Sequence, residues 1–348
     1  MAENSIYAVV LAAGQGTRMK SALPKVLHKI AGRPMVSHLL ATVDSLHAEK
    51  AVVVVGPNME QVAEAVAPHA VAVQHKQQGT GDAVKAAREA LKGASGSVLV
   101  LYGDTPLVRK ETLESMIKER ENGADVVVLG FCPADPARYG RLIVKNGTLE
   151  RIVEYKDASE TERAVRLCNS GVMCVAAEKL FGWLDRLTND NAAGEYYLTD
   201  LVALARADGG KAVAIECAES EVAGANSRAD LAAIEAVVQN ELRKKFLAQG
   251  VTMIDPKTVY FSYDTVLGKD IVIEPNVIFE TGCSVEDDVE IKGFCHFEGT
   301  RIRKGAKVGP FARLRPEADI GENCHIGDFV EIKKSVIESG AKVNHLSY

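Results

Sequence analysis

Apolar residues fall along this chain in two successive patterns. Over the first two thirds they form short unbroken runs separated by stretches of helical periodicity. The run Ile6–Leu11 has almost no polar interruption, as a strand covered on both faces requires. Similar runs at 51–55, 71–74, 97–102 and 125–130 predict four further strands. Between them, 34–45, 62–66, 82–91 and 110–122 carry apolar residues at helical spacing. Strands alternating with helices predict an α/β fold with a doubly wound, mostly parallel sheet. From Gly140 the pattern becomes hairpin-like, with 141–144 and 149–154 flanking the turn pair Asn146-Gly147. This hairpin is expected to form a lid over the sheet edge. Residues 227–249 read as one long helix with Ser227 as N-cap, Leu231, Ile234, Val238 and Leu242 as its apolar stripe, and Gly250 as its stop.

After Gly250 the period changes. Apolar or Cys residues recur every six positions at Ile271, Val277, Cys283, Val289 and Cys295. One extra residue is read before the register resumes at Ile302, Val308, Leu314, Ile320, Ile326 and Ile332, and it slips again to Ile337 and Val343. A six-residue period fits neither a 3.6-residue helix nor a hairpin sheet. It predicts a left-handed parallel β-helix of hexapeptide repeats, each laying one short strand on a prism face. Gly305, Gly309, Gly321 and Gly327 are expected at corners that need special backbone angles. The expected organisation is a domain at 1–228, a linker helix at 229–250 and the β-helix at 251–348.

A length of 348 residues agrees with two or three domains. Aromatic residues are only 5% of the chain, so Ala, Val, Ile and Leu must fill its cores. A net charge of -6 and the lack of a long basic run argue against duplex nucleic acid as a partner, because neutralising phosphates needs a Lys/Arg surface. The 7 Cys include no CxxC pair, which argues for free thiols in a reducing compartment. No apolar stretch approaches the ~20 residues that span a bilayer, and the first apolar run lacks a basic leader. The expected location is the cytoplasm, with no membrane span.

Candidate chemistry gathers where strands end, the edge at which doubly wound sheets bind ligands. Leu11-Ala12-Ala13-Gly14-Gln15-Gly16-Thr17-Arg18-Met19 follows the first strand, and Pro24-Lys25 follows in turn. Gly14 and Gly16 let backbone N–H groups approach phosphate oxygens, Ala12 and Ala13 leave room for a flat base or ribose, and Arg18 and Lys25 bring cations to a polyphosphate. The bland alternative is a simple turn with solvent-facing cations. Tyr102-Gly103-Asp104 ends another strand, and its carboxylate can hold Mg²⁺ between phosphates. Gln74 with Gln78-Gly79-Thr80-Gly81-Asp82-Ala83 can read a pyrimidine edge through amide and backbone groups. A helix N-cap at Thr80 is an equal alternative. Gly140, Glu154, Asn169 and Asn226 are polar or loop positions able to bind sugar hydroxyls. Near the end stand Arg315, Lys333, His345 and Tyr348, with His345 able to act as a base near neutral pH.

LAAGQGTRM with Pro24-Lys25, QGTGDA, YGDTPL and the trailing hexapeptides together resemble the bacterial bifunctional N-acetylglucosamine-1-phosphate uridyltransferase / glucosamine-1-phosphate acetyltransferase family. The resemblance runs in order from Ile6 to Tyr348. It implies a Rossmann-like nucleotidyltransferase domain that uses Mg²⁺ to convert UTP and N-acetylglucosamine 1-phosphate into UDP-N-acetylglucosamine and pyrophosphate. Leu11, Ala12, Ala13, Gly14 and Gly16 then match the uridine nucleotide loop, Lys25 a phosphate contact, and Gln74, Gly79 and Thr80 the uracil site. Asp104 and Asn226 match the Mg²⁺ ligands, and Gly140, Glu154 and Asn169 the sugar contacts. In the β-helix, Arg315, Lys333 and Tyr348 match sugar-phosphate contacts of the acetyl-transfer site and His345 its general base. Asp82 stands where the family often carries His. The family continues with further coils that supply most of the acetyl-coenzyme A site, so acetyl transfer is expected to be impaired in this chain. Homotrimerisation through the β-helix is implied by the resemblance and left open for a short prism.

The mechanism expected is in-line attack at the UTP α-phosphorus, with positioning and charge neutralisation by Arg18, Lys25, Asp104 and Mg²⁺. The alternatives are another sugar-1-phosphate or alcohol-phosphate nucleotidyltransferase, a non-catalytic nucleotide-binding and trimerisation module, and an acyltransferase in its own right.

Overall fold

Successive side chains of a strand point to opposite faces, so a strand covered on both faces feeds two cores. Val9, Val52 and Val100 enter one apolar cluster with Val84, Leu180 and Trp183. Their neighbours Val10, Val53 and Leu101 enter another with Leu39, Leu113 and Met116. The computed structural model describes residues 5–348. They divide into two compact units, one holding the chain up to His28 with Pro34–Asp230, the other Lys29–Arg33 with Leu231–Tyr348.

The main path of the first unit's sheet runs Ala212–Cys217, Val126–Phe131, Cys168–Ala176, Ser97–Tyr102, Ile6–Leu11, Lys50–Val55, Ala70–Val73. All neighbours are parallel except Cys168–Ala176, which runs against both of its partners. The helices Met35–Ser45, Glu60–Ala65, Thr80–Ala86 and Lys110–Glu121 match the sequence reading to within a few residues, although the expected helix over 82–91 breaks into Thr80–Ala86 and a short turn at Glu89–Leu91. Cys168–Ala176 and Ala212–Cys217 were not expected as strands. The former opens on polar Asn169 and Ser170 and shifts register between Asn169 and Met173, which masks it.

The hairpin forms as the Asn-Gly pair predicts, with Asn146 and Gly147 both at positive φ (50° and 76°). It is not a free lid. Leu142, Leu149 and Ile152 are buried in the same cluster as Val100 and Leu180, and Arg141 pairs with Cys168 of the main sheet.

In the second unit, hydrogen bonds join short strands into three parallel sheets, the coils of a left-handed β-helix. Each repeat buries two positions, such as Cys295 and Phe297. That corrects the register read from sequence. The second buried position runs Phe279, Val285, Ile291, Phe297 and then Ile302, so the corner at 298–300 has lost a residue, not gained one. The apparent insertion came from stepping from the first buried position, Cys295, to the second, Ile302. The corners also differ from expectation. Gly305 and Gly309 have positive φ, but Gly321 and Gly327 do not. A Cβ on Gly321 would lie 2.6 Å from the Ile337 carbonyl oxygen, so the next coil, not the backbone angle, excludes a side chain there. Left-handed corner positions are held largely by other residues, including Asn276, Phe294 and Asn323.

Arg228–Ala248 is the long helix, and the Ser227 hydroxyl accepts from Asp230 N as the expected cap. Its buried face is Ile234, Gln239, Arg243 and Phe246, so of the expected stripe only Ile234 is fully buried. Gln239 donates to the Phe261 carbonyl (2.6 Å) and accepts from Phe261 N (2.9 Å), while Arg243 Nε donates to Val259 O (2.9 Å). The helix thereby satisfies backbone groups at the start of the β-helix that no further coil pairs. Phe246, Phe261, Phe279 and Phe297 stack in sequence along the bore. Among the described residues, no helix is long and apolar enough to cross a membrane.

Candidate active site

Leu11 and Tyr102 are register partners on adjacent parallel strands, and Gly103 N donates to Leu11 O (2.9 Å). The glycine loop and the acidic turn therefore leave the sheet side by side. Gly16 takes φ 62° at the head of the short turn Thr17–Met19. A Cβ there would lie 2.6 Å from Lys25 Cβ, so the second glycine of the motif is what lets Lys25 lie against the loop. Pro24 opens the next turn, Lys25–Leu27, and buried Val26 and Leu27 anchor it. No atom lies within 4 Å of a Cβ built on Gly14.

Lys25 Nζ pairs with Asp104 Oδ2, with both side chains about five-sixths buried, and also donates to Asn226 Oδ1 (3.3 Å). Arg18 Nη2 donates to the same Asn226 oxygen (2.9 Å). Asn226 reaches this point because Ala225 N donates to Asp104 O (3.1 Å). Arg18, Lys25, Asp104 and Asn226, far apart in sequence, thus form one polar cluster. Asp104 and Asn226 contribute a carboxylate and an amide oxygen, and an ammonium already rests against both. Among the described residues, no group of three or more His, Cys, Asp or Glu side chains could hold a metal alone. A divalent ion at Asp104 would complete its shell with water and phosphate oxygens, as hard cations in phosphoryl-transfer sites do.

A cavity of about 340 Å³ opens here, lined by Leu11, Ala12, Ala13, Gly14, Lys25, Gln74, Gly79, Thr80, Tyr102 and Asp104 of the expected residues. Gly16, Arg18 and Gly103 of the expected residues do not line it. Gln15 and Ala83 of the two sequence motifs also line it, as do Val26, Gln77 and Glu195, which were missed from sequence. Gln77 Nε2 donates to Ala13 O (2.7 Å), tying the base-side loop to the glycine loop. At the far wall Gln74 Nε2 donates to Gly79 O (3.0 Å) and Asp82 Oδ2 (2.9 Å). Thr80 is not the N-cap. Gly79 holds that position, and the Thr80 hydroxyl accepts from Leu198 N (3.1 Å).

Gly140, Glu154 and Asn169 form an adjoining cluster. Asn169 N donates to Gly140 O (2.9 Å), and a Cβ on Gly140 would lie 3.3 Å from Glu154 Oε2. Burial holds the Glu154 carboxyl above the ordinary range, aided by Asp157 and Asp200 and opposed by a hydrogen bond from Thr199. The Tyr102 ring lies where a side chain on Gly171 would stand, and burial, then Asp104 and Glu154, raise its hydroxyl pKa. Tyr102 therefore links the cationic cluster to the Glu154 cluster.

In the second unit Arg315, Lys333 and Tyr348 line a cavity of about 500 Å³. Arg315 Nη1 donates to Glu331 Oε1 (2.8 Å), which pulls the Glu331 carboxyl below its usual range, and Arg315 Nε is buried without a partner. His345 lies on the strand Lys342–His345, exposed, and does not line this cavity.

The chain matches the family model of the MobA-like NTP transferase domain over residues 8–252 and that of the bacterial transferase hexapeptide over residues 299–334. A crystal structure from Bacillus anthracis, described as a candidate glucose-1-phosphate thymidylyltransferase in complex with a sucrose, overlays with a TM-score of 0.56 at 19% identity, covering 67% of this chain and 95% of its own. That likeness is one of fold. Three curated relatives are each called bifunctional protein GlmU. The one from Paramagnetospirillum magneticum is 55% identical over all of this chain and 78% of its own length. That from Azorhizobium caulinodans is 53% identical over 100% and 79%. That from Ruegeria sp. is 56% identical over 98% and 76%. With more than half of its residues shared over nearly its whole length, this chain belongs to the bifunctional GlmU family.

Proposed function

We propose that the cavity of the first unit transfers uridylyl groups from UTP to N-acetylglucosamine 1-phosphate, giving UDP-N-acetylglucosamine and pyrophosphate. A nucleotidyltransferase of this family needs a place where two phosphates and their charge meet. The convergence of Arg18, Lys25, Asp104 and Asn226 beside the glycine loop carries the reading.

In the reaction a phosphate oxygen of N-acetylglucosamine 1-phosphate attacks the α-phosphorus of UTP, and the bond to the β-phosphate oxygen breaks as pyrophosphate leaves. No proton has to be removed from an ionised phosphate, so the protein's work is alignment and charge neutralisation. Arg18 and Lys25 neutralise phosphate oxygens. Backbone N–H groups around Gly14 and Gly16 orient them. Gln74, Gly79 and Thr80 hold the uracil, and Gly140, Glu154 and Asn169 hold the acetamido sugar. Asp104 and Asn226 would hold Mg²⁺, which supplies a Lewis acid that neutralises the developing negative charge.

The family pairs this activity with acetyl transfer from acetyl-coenzyme A to glucosamine 1-phosphate. Arg315, Lys333 and Tyr348 suit the sugar phosphate there; the general base is assigned to His345 on the family resemblance alone, since it lies outside the lining of that cavity. Homotrimerisation through the β-helix and a cytoplasmic location belong to the same reading, because UTP and both sugar phosphates are cytoplasmic metabolites.

The test is pyrophosphate release from UTP, N-acetylglucosamine 1-phosphate and Mg²⁺, run with and without chelator. Release that the chelator stops supports the reading. No release with any nucleotide and sugar-phosphate pair would sink it.

A further inference from the structure

We propose that Asp82 is a positioning residue for base selection: it fixes the Gln74 amide so that its carbonyl oxygen is the group offered to the nucleobase, which selects a pyrimidine carrying hydrogen at N3. The inference rests on the uridylyl-transfer reading of the same cavity. Gln74 is 6% exposed and lines that cavity. Its Nε2 donates to the Gly79 carbonyl (3.0 Å) and to Asp82 Oδ2 (2.9 Å). Both partners accept only, so nitrogen must face them and both amide hydrogens are committed. The Gln74 side-chain oxygen has no partner among the described residues. It is an acceptor left open at a cavity-lining residue, where a ligand donor can replace water.

Uracil carries hydrogen at N3, whereas cytosine presents a lone pair there. Against a fixed carbonyl the first forms a hydrogen bond and the second meets acceptor with acceptor. Asp82 holds this arrangement by one atom, because Oδ2 also accepts from Gln78 N (3.2 Å). Without it, Gln78 N is released as a free donor beside the amide. The Gln74 oxygen can then turn inward onto that donor, leaving NH₂ facing the base. That inverted amide suits cytosine N3. Gly79 O is then the one acceptor left to oppose the turn, where the unaltered site has two. Base preference is thus set by a carboxylate that acts through Gln74.

Steady-state kinetics with UTP and with CTP, at saturating N-acetylglucosamine 1-phosphate, test this on the full chain and on Asp82→Ala, Asp82→Leu and Asp82→Asn. The ratio of kcat/KM for UTP to that for CTP should fall by about tenfold or more in the Ala variant, the order of one misdirected hydrogen bond. The loss should lie in a raised KM for UTP, with kcat kept within about twofold. Asn retains one acceptor of the same shape and should restore the ratio to within about threefold. Leu keeps the branched shape without an acceptor and should behave as Ala, so it carries the test if Ala fails to fold. Equal losses for both nucleotides in folded Ala or Leu would overturn the proposal, as would an Asn variant as unselective as Leu. An unaltered protein that turns over neither nucleotide fails the uridylyl-transfer reading instead, and is told apart by that.

Discussion

Gly16→Ala tests the link between the glycine loop and the catalytic cluster. At φ 62° a Cβ costs on the order of 1–2 kcal/mol. The same Cβ would stand 2.6 Å from Lys25 Cβ, an overlap whose relief costs roughly 1–3 kcal/mol more. Two routes of relief exist. If loop and Lys25 stay in place, the strain appears as lost stability, a fall in Tm of roughly 4–20 °C at about 2–4 °C per kcal/mol for a unit of this size. If the 25–27 turn moves away, Lys25 leaves Asp104 and Asn226, and stability is kept at the expense of rate. At about 1.4 kcal/mol per decade, the same energy is then a loss of roughly thirtyfold to a thousandfold or more in kcat/KM. Thermal melts and pyrophosphate-release kinetics on one preparation separate the two routes. Gly14→Ala is the internal control: nothing lies within 4 Å of its Cβ and its φ is not positive, so the melt should not move, while KM for UTP rises because the methyl projects at the cavity lining. A Gly16→Ala protein matching the parent in both melt and rate would refute the steric argument.

Asp104→Ala should abolish measurable turnover while the protein still melts cooperatively, since the carboxylate sits on a strand-end turn and not in the core; circular dichroism and pyrophosphate release check both halves. Glu154→Gln should raise Tm near neutral pH. The native carboxyl binds its proton more tightly than the unfolded one, so the unmodified protein loses stability as pH rises from the ordinary glutamate range through the raised value. The gain should vanish in melts run below the unfolded pKa, and a gain independent of pH would refute the assignment. Gln239→Leu should destabilise the second unit by about 2–4 kcal/mol, because both the N–H and the C=O of Phe261 lose their partner; a Gln239→Glu variant should not recover that in the same melt, because its second oxygen meets the Phe261 carbonyl and the Glu235 carboxylate.

The strands between cores were legible because Ile6–Leu11 or Ser97–Tyr102 must be apolar on both sides, a constraint written in consecutive letters. Cys168–Ala176 was not, since Asn169, Ser170 and Gly171 interrupt its apolar letters and its register shift breaks the run. The buried face of Arg228–Ala248 was read wrongly for a related reason. Gln239 and Arg243 look like solvent residues until the unpaired backbone near Phe261 and Val259 is in view. In the site, the glycine loop with Pro24-Lys25 and the Asp104 turn were legible as short motifs on adjacent strand ends. Gln77 and Glu195 were not, because they arrive on irregular segments whose role is fixed by distant partners such as Ala13 O. The hexapeptide period was plain, yet its phase was ambiguous, since each repeat has two inward positions and a residue lost at 298–300 resembles one gained.

The order of strands separates two tasks. The loops proposed to hold the reacting groups follow Ile6–Leu11 and Ser97–Tyr102, paired neighbours in the interior of the sheet, while the Gln74–Asp82 segment hangs from Ala70–Val73, the outermost member on its side. A change of letter along that margin disturbs no ladder on its outer flank. Nucleotide preference can therefore drift, or be redesigned, while the machinery that breaks the phosphoanhydride is left untouched, which is where an effort to retool this scaffold for other nucleotide sugars should begin.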